Sequence, residues 1–191
     1  MKRFTDAGRA CLTSDNLYSA LSLALMLPDI CGSLEDPGPN KSKARYERWC
    51  KKWIEPLHAK MAKPGEMAEP FLPASECYQL RCGIIHSGSA DIPAEKQKDI
   101  ATFAFFDDSA NAHYIYVGGN VINGVTQPTV LQLNARKFSE EMYDAVDRWD
   151  ASVVGDEAIQ AEKKKLLAIH STGTMISGVR IGSRPGFRRD F

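Results

Sequence analysis

Glu76-Cys77-Tyr78-Gln79-Leu80-Arg81-Cys82-Gly83-Ile84-Ile85-His86-Ser87-Gly88 reads as the closing turns of an α-helix. Cys77, Leu80, Ile84 and Ile85 recur at the three- and four-residue spacing of one inward face. Pro73 suits the helix start, and Ser75 and Glu76 its first turn. Ser87-Gly88 suits its end. The same helix carries Arg81 and His86, five residues apart, in its last two turns.

Helical periodicity extends to both sides. Residues 1–13 read as a lead-in. Thr13, Ser14 and Asp15 offer caps for a helix to about Leu27. Leu17, Tyr18, Leu21, Leu23, Ala24, Leu25 and Met26 make it apolar nearly all round, which belongs inside a bundle. Pro28 and Gly32 are expected to stop it, and residues 32–41 to form a loop. A second helix starts near Ser42 with Tyr46, Trp49, Cys50, Trp53, Ile54 and Leu57 as its apolar set, and Pro56 is expected to kink or end it early. Lys41, Arg45, Arg48 and Lys52 line its other face as one basic stripe. Between Lys41 and Lys63 stand eight Lys/Arg and two Glu, a local charge of +6.

Lys63 to Pro73 reads as a loop. Beyond the Arg81/His86 helix the period becomes alternating. Thr102–Phe106 and His113–Val117 read as a β-hairpin about Asp107–Asn111, and Thr129–Leu133 as a third strand. Asn134 caps a fourth helix whose stripe is Phe138, Met142, Ala145, Val146 and Trp149. Asp156 to His170 reads as a fifth, with Lys163, Lys164 and Lys165 toward its end. Residues 171–191 form an Arg-containing tail expected to be mobile. The fold class is therefore mainly α (α+β). It is a helical bundle over residues 1–170, with a small antiparallel β-hairpin or meander inserted at about 98–133.

The chain has 191 residues, 43% apolar and 25% charged, with a formal net charge of zero. Any attraction for nucleic acid must come from a local patch. The stretch Leu17–Leu27 is too short to span a bilayer, and no secretion signal is recognisable. Cys11, Cys31, Cys50, Cys77 and Cys82 are odd in number and scattered, as in a reduced cytoplasmic protein. No P-loop, dinucleotide fingerprint or G-x-S-x-G elbow occurs, so the serines beside His86 do not signal a hydrolase. No metal or other cofactor is implied.

The Arg81/His86 pair points to phosphate chemistry. Histidine gives and takes a proton near neutral pH. Arginine carries a permanent charge on a planar fork that matches phosphate. His86 as general base or acid and Arg81 as electrostatic stabiliser suffice to cleave an RNA backbone without a metal. The alternative is an ordinary helix end, with His86 facing the dipole and Arg81 in a surface ion pair. An i,i+5 offset sets the two side chains about 140° apart. That favours a site shared across a two-fold axis, where Gly83 admits another backbone. Asp29 and Glu35 are acidic candidates for orienting His86, or simply helix-terminating residues. Cys82 is a tuned thiol or a small packing residue. The basic stripe is an RNA track or a solvated face. Trp49 and Trp53 are core by spacing, or base-stacking rings. His58, His113 and His170 read as surface or internally satisfied.

The string Leu80-Arg81-Cys82-Gly83-Ile84-Ile85-His86-Ser87-Gly88, the interior first helix and the polar second helix together resemble the HEPN superfamily of small helical bundles. Leu27-Pro28-Asp29-Ile30-Cys31-Gly32 and Arg45-Tyr46-Glu47-Arg48-Trp49-Cys50 resemble a branch found in bacteria, plasmids and phages. The likeness covers roughly residues 14–90 and 134–153. It implies a metal-independent endoribonuclease acting as a homodimer, with Arg81 and His86 as the catalytic pair and a 2′,3′-cyclic phosphate product. Such proteins serve in toxin–antitoxin and anti-phage systems, so an antitoxin or other protein partner is implied as well. Active members commonly carry a polar residue where this chain has Cys82. Other members are non-catalytic binding or assembly modules.

Overall fold

The structure, a computed structural model, describes residues 1–39, 41–57, 69–107 and 113–182. Among them are the helices α1 (Lys2–Thr13), α2 (Leu17–Glu35), α3 (Ser42–Trp53), α4 (Ala74–Ser87), α5 (Ala135–Ser152) and α6 (Glu157–Lys163). The strands are β1 (Thr102–Phe106), β2 (Ile115–Val117), β3 (Val121–Ile122), β4 (Val125–Thr126), β5 (Val130–Asn134), β6 (Met175–Ile176) and β7 (Val179–Arg180). The architecture is mainly helical, α+β. His58 and most of the Lys63–Pro73 stretch lie outside the described residues, as do Arg184, Arg188 and Arg189.

α2 is the hub and touches every other helix. Ala20, Ala24, Leu25, Leu27 and Cys31 have no exposed surface. Among the described residues it alone is long and apolar enough to cross a membrane, and half of that apolar window is buried inside the bundle. It does not stop at Pro28 or Gly32. Pro28 fits helical φ, and the packing of its buried neighbours outweighs the hydrogen bond it forgoes. Gly32 serves packing instead. A Cβ there would lie 3.0 Å from the Arg45 carbonyl oxygen, so its absence lets α3 lie close. The cap is Asn16, whose side chain accepts from Ser19 N–H, not Thr13 to Asp15.

Residues 2–13 are a helix rather than a lead-in. Gly8 rests against the Tyr143 ring, and a Cβ there would fall 2.2 Å from Cζ. Arg9 forks onto Glu140, Asp144 and Asp147 of α5 at 3.1, 2.7 and 2.7 Å. The α5 stripe is buried throughout, and Asn134 caps it by accepting from Lys137 N–H. α6 is shorter than the span from Asp156 to His170, and ends at Lys163 as the run of three lysines begins.

The main sheet has the order β1-β5-β2. β5 pairs parallel with β1 and antiparallel with β2, so β1 and β2 form no hairpin with each other. Leu131 and Leu133 of β5 have no exposed surface, and the most buried strand takes the centre. β3 and β4 form a separate hairpin, with Asn123 and Gly124 both at positive φ. Part of the expected mobile tail, Met175–Arg180, is a second small hairpin.

Candidate functional site

α4 positions both residues of the pair. Gly88 takes the left-handed conformation at φ 63° and closes the helix by donating to the Ile84 carbonyl. His86 therefore stands exposed in the last turn. Arg81 is partly buried on the side facing α2. Despite their angular offset the side chains meet within one chain: Arg81 Nη1 donates to His86 Nε2 at 2.8 Å. Arginine's length closes the gap that the helical wheel leaves open.

Asp29 is the third member. Its Oδ2 lies 2.7 Å from Arg81 Nη2, with 17% and 19% of the two side chains exposed. Ser42 Oγ, at the first turn of α3, donates to Asp29 Oδ1 at 3.0 Å. A chain Ser42–Asp29–Arg81–His86 thus crosses three helices. Asp29 does not touch His86; it holds Arg81, which holds the imidazole. Burial works against the guanidinium charge, but the Asp29 carboxylate and the neighbouring Cys82 together outweigh it and leave the Arg81 pKa raised. Arg81 Nε is buried without a hydrogen-bond partner. Because arginine only donates, His86 Nε2 is an acceptor here, and the proton of the neutral ring sits on Nδ1.

Cys82 is half-exposed beside Arg81 and Tyr78. Glu35 faces the other way and accepts from Trp149 Nε1 at 2.8 Å. Its role is packing α2 on α5 rather than orienting His86. His113 is satisfied internally, with Nε2 at 3.0 Å from Glu141 and Nδ1 accepting from Asn134 N–H. His170 is exposed.

The stripe residues share one face, and three of them gather on the α2–α3 loop. Lys41 and Arg48 reach the Asp36 carboxylate at 3.1 and 3.5 Å. Arg45 donates to the carbonyls of Asp36 and Gly38. Lys52 lies over the Trp53 ring. Trp49 is buried, and Trp53 packs against the core.

His86 opens onto a hollow of about 550 Å³ lined also by Gln79, Gly83, Ser89, Asp91 and Lys96. One wall is α4; the other is the segment 89–98. Gly83 meets a backbone, as its position suggested, but it is the chain's own. A Cβ at Gly83 would fall 2.5 Å from the Ser89 carbonyl oxygen. This wall gave no sequence signal, because it is anchored through its main-chain N–H groups: Ser89 to the Gly83 carbonyl, Ile92 to the Ala101 carbonyl, and Asp99 and Ile100 to the Glu76 carboxylate. Among the described residues no group of three or more His, Cys, Asp or Glu is arranged to hold a metal ion.

Comparison of the chain with protein-family models, curated proteins and solved structures gives no match.

Proposed function

We propose that this protein is a metal-independent endoribonuclease of the HEPN type, acting on RNA as a homodimer in the cytoplasm. The observation that carries the reading is the Asp29–Arg81–His86 chain. It ends in an exposed imidazole at the mouth of a cleft. In the free protein Arg81 occupies the Nε2 lone pair of His86. A scissile phosphate competes for Arg81 Nη1, and its departure frees that lone pair. His86 then takes the proton of the ribose 2′-OH as the 2′-oxygen attacks phosphorus. Arg81 offsets the charge that builds on the phosphoryl oxygens. The P–O5′ bond breaks, leaving a 2′,3′-cyclic phosphate, and the 5′-oxygen takes a proton from a second imidazole. A second copy of the chain supplies that group, which gives dimerisation a chemical reason. An antitoxin-like protein partner would hold such an activity in check, as in toxin–antitoxin or anti-phage systems.

One observation favours a second reading, a non-catalytic dimeric module that binds protein or nucleic acid. Both terminal nitrogens of Arg81 are engaged within the chain. The test is cleavage of total RNA in EDTA by wild type and by folded Arg81→Ala and His86→Ala variants. The nuclease reading expects cyclic-phosphate ends from wild type alone. Intact RNA with wild-type dimers present gives the second reading.

A further inference from the structure

The hollow at His86 is half of a longer groove. A second hollow, of about 290 Å³, lies along the earlier turns of α4 between Lys43 of α3 and the segment 95–98. Gln79 and Lys96 line both, so the two hollows adjoin along α4. Along the floor run Ser75, Gln79, Gly83 and His86, at spacings of four, four and three residues. This is a single face of α4 about 16 Å long.

The outer wall is fixed at both ends. Ser89 N–H bonds to Gly83 near the His86 end. At the other end the Asp99 and Ile100 N–H groups both donate to Glu76 Oε1 at 3.0 Å. Gln97 Nε2 donates to the Ile92 carbonyl and holds the turn between. A wall tied this way is a preformed channel rather than a loose loop.

Cations stand on both sides. Lys43 rises from α3 with most of its side chain exposed, and its pairing with Glu47 is a long 3.8 Å contact. Lys98 is exposed and reaches Ser75 Oγ at 3.3 Å. Lys96 is exposed, lines both hollows, and makes no ion pair among the described residues. Of the nearby acids, Glu76 is buried and faces main-chain donors, and Asp91 accepts from Thr102 Oγ1 at 2.9 Å. Glu95, which lines the second hollow, is exposed, as are Asp91 and Asp99.

Resting on the nuclease reading, we infer that single-stranded RNA lies in this α4 groove, with Lys43, Lys96 and Lys98 on its phosphates leading to His86. The α3 stripe is not the track. Lys43 lies about 200° round α3 from Lys41. Three stripe residues already bind the α2–α3 loop, whereas the groove lysines keep weak partners or none.

The experiment uses the full chain carrying His86→Ala, to prevent turnover, and a fluorescein-labelled single-stranded RNA of mixed sequence. Anisotropy titrations at several salt concentrations compare added Lys43→Ala, Lys96→Ala and Lys98→Ala changes with Lys52→Ala on the stripe and Lys164→Ala at the end of α6, which lines neither hollow. Each groove lysine is expected to weaken binding about three- to tenfold and to reduce the salt slope by about 0.7. Glu95→Gln tightens binding, and Lys52→Ala and Lys164→Ala leave it unchanged. Weakening by Lys52→Ala with the groove variants unaffected overturns the inference, as does failure of the chain to bind RNA.

Cleavage by the same lysine variants with His86 intact separates the two proposals. Groove-dependent binding without cleavage by wild type upholds the groove and removes the nuclease. Wild-type cleavage with a raised KM and unchanged kcat in Lys96→Ala upholds both. Wild-type cleavage with groove-independent binding removes the groove alone.

Discussion

Gly83→Ala sets two effects of opposite sign against each other. Inside a helix the change from glycine to alanine stabilises by about 1 kcal/mol. Here the new Cβ would meet the Ser89 carbonyl oxygen at 2.5 Å, and ordinary contact begins at 3.4 Å. The outer wall must therefore retreat by about 0.9 Å, and that atom is backbone, not a side chain that can swing away. The wall is also anchored on its far side, where Phe103 N–H donates to the Ala90 carbonyl at 3.0 Å. Overpacking of this kind costs roughly 1–3 kcal/mol. The net effect is a loss of about 0–2 kcal/mol, or a fall in Tm of up to about 8 °C for a chain of this length. Urea denaturation and calorimetry read both quantities. A gain of about 1 kcal/mol, the pure propensity effect, would mean that Ser89 does not press on α4 and that the groove lacks this wall.

Asp29→Asn removes the charge partner of Arg81. It is expected to destabilise by about 1–2 kcal/mol, a discounted value because both side chains keep about a fifth of their surface. The 15N shifts of the His86 ring should move at the same time, and a spectrum identical to wild type would refute the relay. Asp150 receives the Met1 ammonium and Lys163, which outweigh its burial and hold its carboxyl below the usual range. A depressed pKa contributes stability above about pH 4 that is lost as pH falls through the folded value. Asp150→Asn should accordingly flatten the acid side of the stability profile, and an unchanged slope would sink the assignment. Arg9→Ala leaves Glu140, Asp144 and Asp147 facing one another on α5. A loss of about 1–2 kcal/mol is expected, and added salt should partly restore it, since the residual carboxylate repulsion is screened; salt-independent loss would point to packing instead.

Elements with a strong local signal were legible in the sequence. The α5 stripe behind Asn134, the α4 end at Gly88 and the start of α3 at Ser42 all follow from periodicity and capping. Three features were not, each for a tertiary reason. α1 offers few large apolar residues and is held by Gly8 against Tyr143 and by the Arg9 fork. α2 passes through Pro28 because Ala24, Leu25, Leu27 and Cys31 around it are wholly buried. The sheet order depends on β5 reaching β1 across 23 residues or more, which no local hairpin signal encodes. At the site, the residues could be read but their connection could not. Helical angles separate Arg81 from His86, and only the side chain's reach joins them. Asp29 was legible as an acidic candidate for orienting His86, whereas the groove wall hangs on main-chain N–H groups, bonded to the Gly83 carbonyl and the Glu76 carboxylate, that composition does not reveal.

The hub position of α2 has a consequence for biosynthesis. Its principal neighbour, α5, is completed more than a hundred residues after α2 has been made. At about 5–20 residues per second, the most apolar helix of the chain waits roughly 6–24 s for its cover. The β1-β5-β2 order prolongs the exposure, since the central strand follows both of its edges and directly precedes α5. During that interval the nascent chain presents a segment that a translocation machinery or a chaperone would bind, so the yield of folded protein should respond to chaperone supply and to slow codons placed between residues 36 and 134.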